Sequence, residues 1–346
     1  MVARSRTRPA RHLVWPLAAA AVLCPSAVRS MPTGTPRSVK AMVLNMSVAE
    51  SQPWIKNLAL TEAIPVTGLS SSASAVLCNG DDVCQLTTGM GKANAAASVA
   101  ALVLGGQFDL SKTYFLIASV ARIDPGQGTL GSVAWAGSVV DYGLSWEIDA
   151  RTLPMGWTTG YLGIETTGPT QMPPLEYGSE VYPLSAALVG KAMSLSSSAA
   201  LEDDVAAQAY RALYQGPPAT DPPRVIQCDT TSADTSWHGA LLGRRASAWV
   251  NLMSGGTYCT AQLEDNATLT ALARGANAGL LDGKRVAILH GAASFDRPYT
   301  GQTADASRSA DPAGLTPAVD NLYVAGSKLV QDIVTNWTAW QTGVPQ

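Results

Sequence analysis

The chain has 346 residues, of which 47% are hydrophobic and 14% charged, with a formal net charge of −3 at pH 7. That composition excludes a disordered chain and supplies the apolar mass for a large core. The mild acidity leaves no basic footprint, so a nucleic-acid polymer is not an expected partner.

Arg4, Arg6, Arg8 and Arg11 precede an apolar run from Leu13 to Leu23, and small residues around Ser26–Ser30 offer a cleavage site. This reads as a secretory signal peptide over residues 1–30, too short in its apolar part to span a bilayer. Leu23 stands before Cys24 where lipidation would call for a small residue. No later segment has the roughly 18 uninterrupted apolar residues of a membrane helix, so a soluble secreted or periplasmic protein is expected. Residues 31–39 form a Pro-rich lead-in, and 40–346 read as one domain. Beyond Cys24 four cysteines remain. Cys78 and Cys84 flank the turn-like Asn79-Gly80-Asp81-Asp82, which favours a short staple there and leaves Cys228 to pair with Cys259. No Cys/His spacing resembles a zinc site, so no metal is expected.

Lys40–Asn45 reads as the first strand. Glu50 is placed on the turn after it, ahead of a helix near Pro53-Trp54, where a carboxylate at a strand end could reach a pocket. Val76–Leu86 reads as a hairpin whose second strand ends at Thr87-Thr88. Gly89 and Gly91 then permit backbone angles closed to other residues, and a helix follows in which Ala93, Ala96, Ala97, Ala100 and Ala101 are expected to lie against a sheet. Tyr114–Val120 is almost wholly apolar, as a parallel strand covered on both faces would be. A pocket is then expected at the carboxyl ends of such strands.

Leu130–Val140 reads as a further strand element, and the charges of Asp141–Arg151 as a salt-bridged surface. Pro154–Pro183 reads as one long excursion whose Trp157, Tyr161, Tyr177 and Tyr182 could stack on a flat base. Leu184–Tyr214 is expected to form two helices, and Val225–Asp229 a strand. Ser232 or Asp234 is a candidate cap for the helix that follows. Trp237-His238 offers a side chain able to hydrogen-bond a ligand. Gln262, Glu264, Asp265 and Asn266 crowd the entrance to an apolar helix, more polar groups than one cap requires. Arg285–Leu289 reads as a buried strand opening into His290–Pro298, Asp296–Thr316 as a polar loop able to act as a lid, and Ala318–Trp340 as a closing helix.

Thr88–Ala97, the Asp124-Pro125 exit from the long strand, Gly131-Ser132-Val133 and Glu147–Arg151 resemble the purine nucleoside permease family, which is similar to the nucleoside phosphorylase and nucleosidase superfamily. The resemblance covers nearly all of the mature chain. It implies an α/β, three-layer nucleoside-phosphorylase-like fold with a central mixed, largely parallel sheet covered by helices. It places Glu50 where nucleosidases keep an acid that polarises water. Leu263-Glu264 falls where a Met-Glu pair holds ribose hydroxyls, a task suited to a carboxylate because it accepts two hydrogen bonds from a vicinal diol. Ser294, with Asp296 two residues later, stands where the superfamily puts a donor to purine N7; a serine can hydrogen-bond a base but is a poor proton donor. The family's Gly-Ile-Ala-Gly turn is here Ser119-Val120-Ala121-Arg122, so either the pocket is reshaped or Arg122 meets an anion such as phosphate.

The resemblance therefore implies an extracytoplasmic protein that binds purine nucleosides and supports their uptake, with a membrane transporter as partner. The alternative it leaves is an enzyme that cleaves the N-glycosidic bond with water or phosphate, using Glu50, Ser294 and Asp296. Ser119, Arg122, Trp237, His238, Gln262, Glu264 and Asn266 are the expected binding residues. No cofactor is implied, phosphate being the one candidate co-substrate, and assembly as a homo-oligomer is usual in the superfamily.

Overall fold

A computed structural model describes residues 34–174, 177–310 and 312–346. The signal-peptide segment lies outside the described residues. In chain order the principal elements are β1 (Ala41–Asn45), α1 (Val48–Asn57), β2 (Glu62–Pro65), β3 (Ala75–Cys78), β4 (Val83–Thr87), α2 (Lys92–Leu104), β5 (Tyr114–Ile123) and β6 (Val133–Asp141). They continue with β7 (Val181–Pro183), α3 (Ala186–Ser196), α4 (Val205–Arg211), β8 (Val225–Ser232), α5 (Ala240–Ser254), β9 (Tyr258–Gln262) and α6 (Asp265–Asn277). The chain closes with β10 (Val286–Phe295), α7 (Ala304–Ser309), α8 (Leu315–Thr335) and α9 (Trp337–Trp340).

One mixed sheet organises these elements in the order β7-β6-β8-β9-β5-β1-β4-β3-β2, and β10 joins it between β5 and β6. The pairings β4-β1-β5-β10 and β6-β8-β9 are parallel, and the two parallel blocks meet antiparallel at β9-β5 and β10-β6. Strands β5, β10, β6, β8 and β9 therefore close on one another as a ring, which brings the ends of several strands to one place. β5 and β10 are apolar along almost their whole length because helices cover them and no solvent face calls for alternation.

Two packed layers account for most of the core. Leu102 and Val103 of α2 meet Leu269 and Leu272 of α6 over one face of the sheet, in a cluster with Leu44, Leu86 and Ile117. On the other face Trp54 of α1, Leu188 of α3 and Leu322, Leu329 and Ile333 of α8 pack on Val43, Leu116 and Leu289. The α8 residues recur at seven- and four-residue spacing, so the helix offers a continuous apolar stripe, and each such side chain contributes about 2 kcal/mol on burial. Glycines let these layers approach: a Cβ at Gly291 would stand 2.6 Å from Ala318 O of α8, and one at Gly326 would stand 2.7 Å from the Trp54 ring.

Several local expectations change. Glu50 is not on a loop but in the first turn of α1, which begins before Pro53 and contains it. The buried face of α2 is Ala95, Ser98, Val99, Leu102 and Val103, whereas Ala93 and Ala97 are exposed, because the helix starts at Lys92 and its rotation is set by packing on α6. Arg122 lies inside β5, which continues past Val120 to Ile123, and not on a turn. Neither Ser232 nor Asp234 caps α5, whose N-cap residue is Gly239. Asp234 instead reaches across the chain and accepts from Lys92 N at the start of α2 (2.8 Å). Cys78 is bonded to Cys84, and Cys228 to Cys259. Among the described residues no helix is long and apolar enough to cross a membrane.

Candidate functional site

The ends of β5, β9 and β10 and the residues after β8 enclose a cavity of about 420 Å³. Its walls include Val120 and Arg122 of β5, Trp237 and His238 before α5, and Gln262 and Ser294. Gly89 and Gly91 have φ of 87° and 88°, a left-handed conformation that favours glycine, and they carry the chain past the site so that Met90 joins the wall. The segment read as a lid does contribute to the wall, through Ser307, Arg308 and Pro312. Sequence reasoning named none of those three, since nothing in the sequence fixes the path of an irregular segment.

Two buried glutamates stand behind the lining residues. Glu50 Oε1 accepts from Val120 N (2.8 Å), while Oε2 accepts from Ser47 N (2.7 Å), Ser47 Oγ (2.9 Å) and Met46 N (3.0 Å). Together with Ser47 Oγ accepting from Glu50 N this is a capping box, so the side chain both starts α1 and ties it to β5. Burial pushes its carboxyl above the ordinary glutamate range, against the hydrogen bonds from Val120, Ser47 and Met46. Glu264 Oε1 accepts from Gly91 N (2.8 Å). Burial pushes Glu264 up to about 7; Asp265 and Glu50 add to this, and the Gly91 hydrogen bond opposes it. Glu264 therefore sits near the midpoint of its titration at neutral pH, directly behind its neighbour Leu263 in the cavity wall.

Polar groups of opposite character hold the other side. The Arg122 guanidinium donates to the carbonyl of Trp237. Burial lowers its pKa below the ordinary arginine value, while Asp296 and Tyr258 act the other way. His238 Nε2 lies 2.9 Å from Ser307 Oγ. Burial, then Arg122, Arg308 and Arg297, bring His238 down to about 4, so its ring is neutral at pH 7. The Trp237 ring packs on Tyr142 and Tyr258, with centroids 5.4 and 6.2 Å away.

Four expected site residues have other placements. Asp296 is fully buried and does not line the cavity: Arg297 Nε donates to its Oδ1 (2.6 Å), and Tyr258 OH to its Oδ2 (2.8 Å). Arg297 also binds Asp124 (2.6 Å). Burial raises Asp296 to about 6, with Arg297 opposing. Ser119 is buried in β5 opposite His290, away from the wall, and its Oγ has no partner among the described residues. Asn266 is drawn off by Ser179, whose carbonyl accepts from its Nδ2 (2.6 Å). Gln262 does reach the wall, but its Oε1 accepts from Glu264 N (2.7 Å) and Asp265 N (3.0 Å), so this side chain caps α6. Ser232 Oγ accepts from Asn266 N (3.3 Å), completing the polar entrance to that helix. The aromatics of the long excursion also stay off the cavity: Tyr161 stacks on Arg245, and Tyr182 OH bonds Thr270.

A mixed sheet covered by helices, with a cavity where its strand ends converge, makes this a nucleoside-phosphorylase-like α/β protein. A solved variant of the Helicobacter pylori 5'-methylthioadenosine/S-adenosylhomocysteine nucleosidase, with 5'-methylthioadenosine in its active site, is similar to it in fold. The TM-score is 0.51 at 11% identity, over 85% of this chain and 99% of that one. The model of the purine nucleoside permease (NUP) family matches residues 38–345. A probable purine nucleoside permease of Schizosaccharomyces pombe is 38% identical over 318 residues, covering 87% of this chain and 90% of its own. A purine nucleoside permease of Candida albicans is 33% identical over 306 residues, covering 86% of this chain and 75% of its own. The chain belongs to the purine nucleoside permease family.

Proposed function

We propose that the protein binds purine nucleosides outside the cytoplasm and supports their uptake, delivering them to a membrane partner. The observation that carries this reading is the cavity of about 420 Å³, within the range of small-molecule sites, in a chain of this family. In this reading Glu264, next to Leu263 of the wall, serves the ribose hydroxyls. Trp237 supplies an apolar surface for the base, and Arg122, His238 and Ser294 supply polar contacts to its edge. Two disulfides support a location in an oxidising compartment.

Cleavage of the N-glycosidic bond is a second reading, favoured by the two glutamates behind the cavity with raised pKa values. The engagement of Asp296 by Arg297 and Tyr258 weighs against it, because both oxygens are held away from the base edge. One experiment separates the readings: calorimetric titration of the protein with inosine, guanosine and adenosine, followed by chromatography for free base with and without phosphate. Binding without base release is expected. Turnover would replace the uptake reading with an enzymatic one, and the absence of any binding would overturn both.

A further inference from the structure

Arg122 is a half-buried guanidinium in the wall of the cavity. Among the described residues its one hydrogen-bond partner is the carbonyl of Trp237, and none of their carboxylates forms an ion pair with it. Among the described residues, Asp296 and Asp124 are engaged by Arg297 and Asp305 by Arg308. A guanidinium carries five N–H donors and no acceptor, so most of its hydrogen-bonding capacity faces a space the protein does not fill. Arg308, which also lines the cavity, adds further donors. His238 is neutral and bonded to Ser307, so it brings no competing charge. Ser294 lies beside Arg122 across the β5-β10 pair and can donate or accept. Among the described residues no aspartate or glutamate lines the cavity.

We propose that Arg122 is a specificity-determining residue that selects purine nucleosides carrying a carbonyl oxygen on the base, inosine and guanosine, over adenosine. The inference rests on the nucleoside-binding reading above. A 6-oxo group accepts from the guanidinium, whereas a 6-amino group presents a donor to a donor and leaves the half-buried guanidinium with the Trp237 carbonyl alone. Hydrogen bonds to charged groups and the cost of orphaning one give a preference of roughly tenfold to a hundredfold. Inorganic phosphate is the other acceptor that this chemistry would take.

The test is calorimetric titration of the intact protein with inosine, adenosine, purine riboside and inorganic phosphate. Purine riboside has no substituent at C6, so it probes the contact without altering the protein. Inosine is expected to bind roughly tenfold or more tighter than both other nucleosides, and Arg122→Gln to reduce that ratio severalfold, chiefly by weakening inosine. Equal affinities for inosine and adenosine would overturn the inference while leaving the nucleoside-binding reading intact. Phosphate binding that is lost in Arg122→Gln, without nucleoside preference, would overturn it in favour of an anion site. Failure to bind any nucleoside would overturn both readings.

Discussion

Replacing Glu264 by glutamine tests the electrostatics of the site most sharply. The carboxyl is raised from 4.5 to about 7, mainly by burial and then by Asp265 and Glu50. The folded chain thus holds this proton to higher pH than the unfolded chain. Folding takes up a proton between those values, and stability falls as pH rises through that window. At about 1.4 kcal/mol per pH unit, the cost of the charged form above pH 7 is roughly 3 kcal/mol. Glutamine keeps an amide oxygen for the Gly91 N–H and carries no charge, so Glu264→Gln should match the wild type near pH 4. At pH 8 it should exceed it by up to about 3 kcal/mol. Urea unfolding at a series of pH values measures this, and Asp296, which shifts in the same direction, cancels in the difference between the two proteins. Parallel stability profiles for the two proteins would refute the assignment of a strained, half-ionised carboxylate at this position.

The buried ion network should be less tolerant. Asp296→Ala leaves Arg297 with Asp124 alone and orphans Tyr258 OH, and a loss of about 3–5 kcal/mol is expected in the same unfolding assay. Gly291→Ala sets a Cβ 2.6 Å from Ala318 O, and overpacking between β10 and α8 should cost about 1–3 kcal/mol, read as a lowered melting temperature. Cys228→Ser with Cys259→Ser removes a link between residues 31 apart in sequence. That change should lower stability by about 3–4 kcal/mol, and thiol titration of the unreduced wild type should find no free cysteine at those positions.

The architecture was legible where the physics is local. Continuous apolar runs marked β5 and β10 because strands covered on both faces need no alternation. The Gly89-Met90-Gly91 turn showed itself because left-handed backbone is nearly confined to glycine. The turn between Cys78 and Cys84 likewise announced its staple. What stayed hidden depends on contacts distant in sequence. Nothing around Asp296 signals that Arg297, Tyr258 and Asp124 surround it, since Tyr258 arrives on β9 and Asp124 from just past the end of β5. Asp234 looked like a cap for the helix after it, yet it serves α2, a partner 142 residues away. In sequence Gln262, Glu264 and Asn266 crowd one helix entrance, and only Glu264 is marked out there, by its match to a ribose-holding pair. The fold separates a helix cap, a carboxylate bound to Gly91 N and a tether to Ser179, because each points in a different direction as the chain turns into α6. Arg308 and Ser307 were missed because a polar segment without periodicity carries no record of what it packs against.

The account stands on the cavity at the ends of β5, β9 and β10 being the nucleoside site, and photolabelling tests that directly. The protein would be irradiated with a photoreactive azidopurine nucleoside, digested, and the labelled peptides identified by mass spectrometry, with and without excess inosine. Label is expected on the segments around Val120–Arg122, Ser236–His238, Ser294–Phe295 and Ser307–Arg308, and inosine should suppress it. Suppressible label confined to other surfaces of the protein would contradict the account.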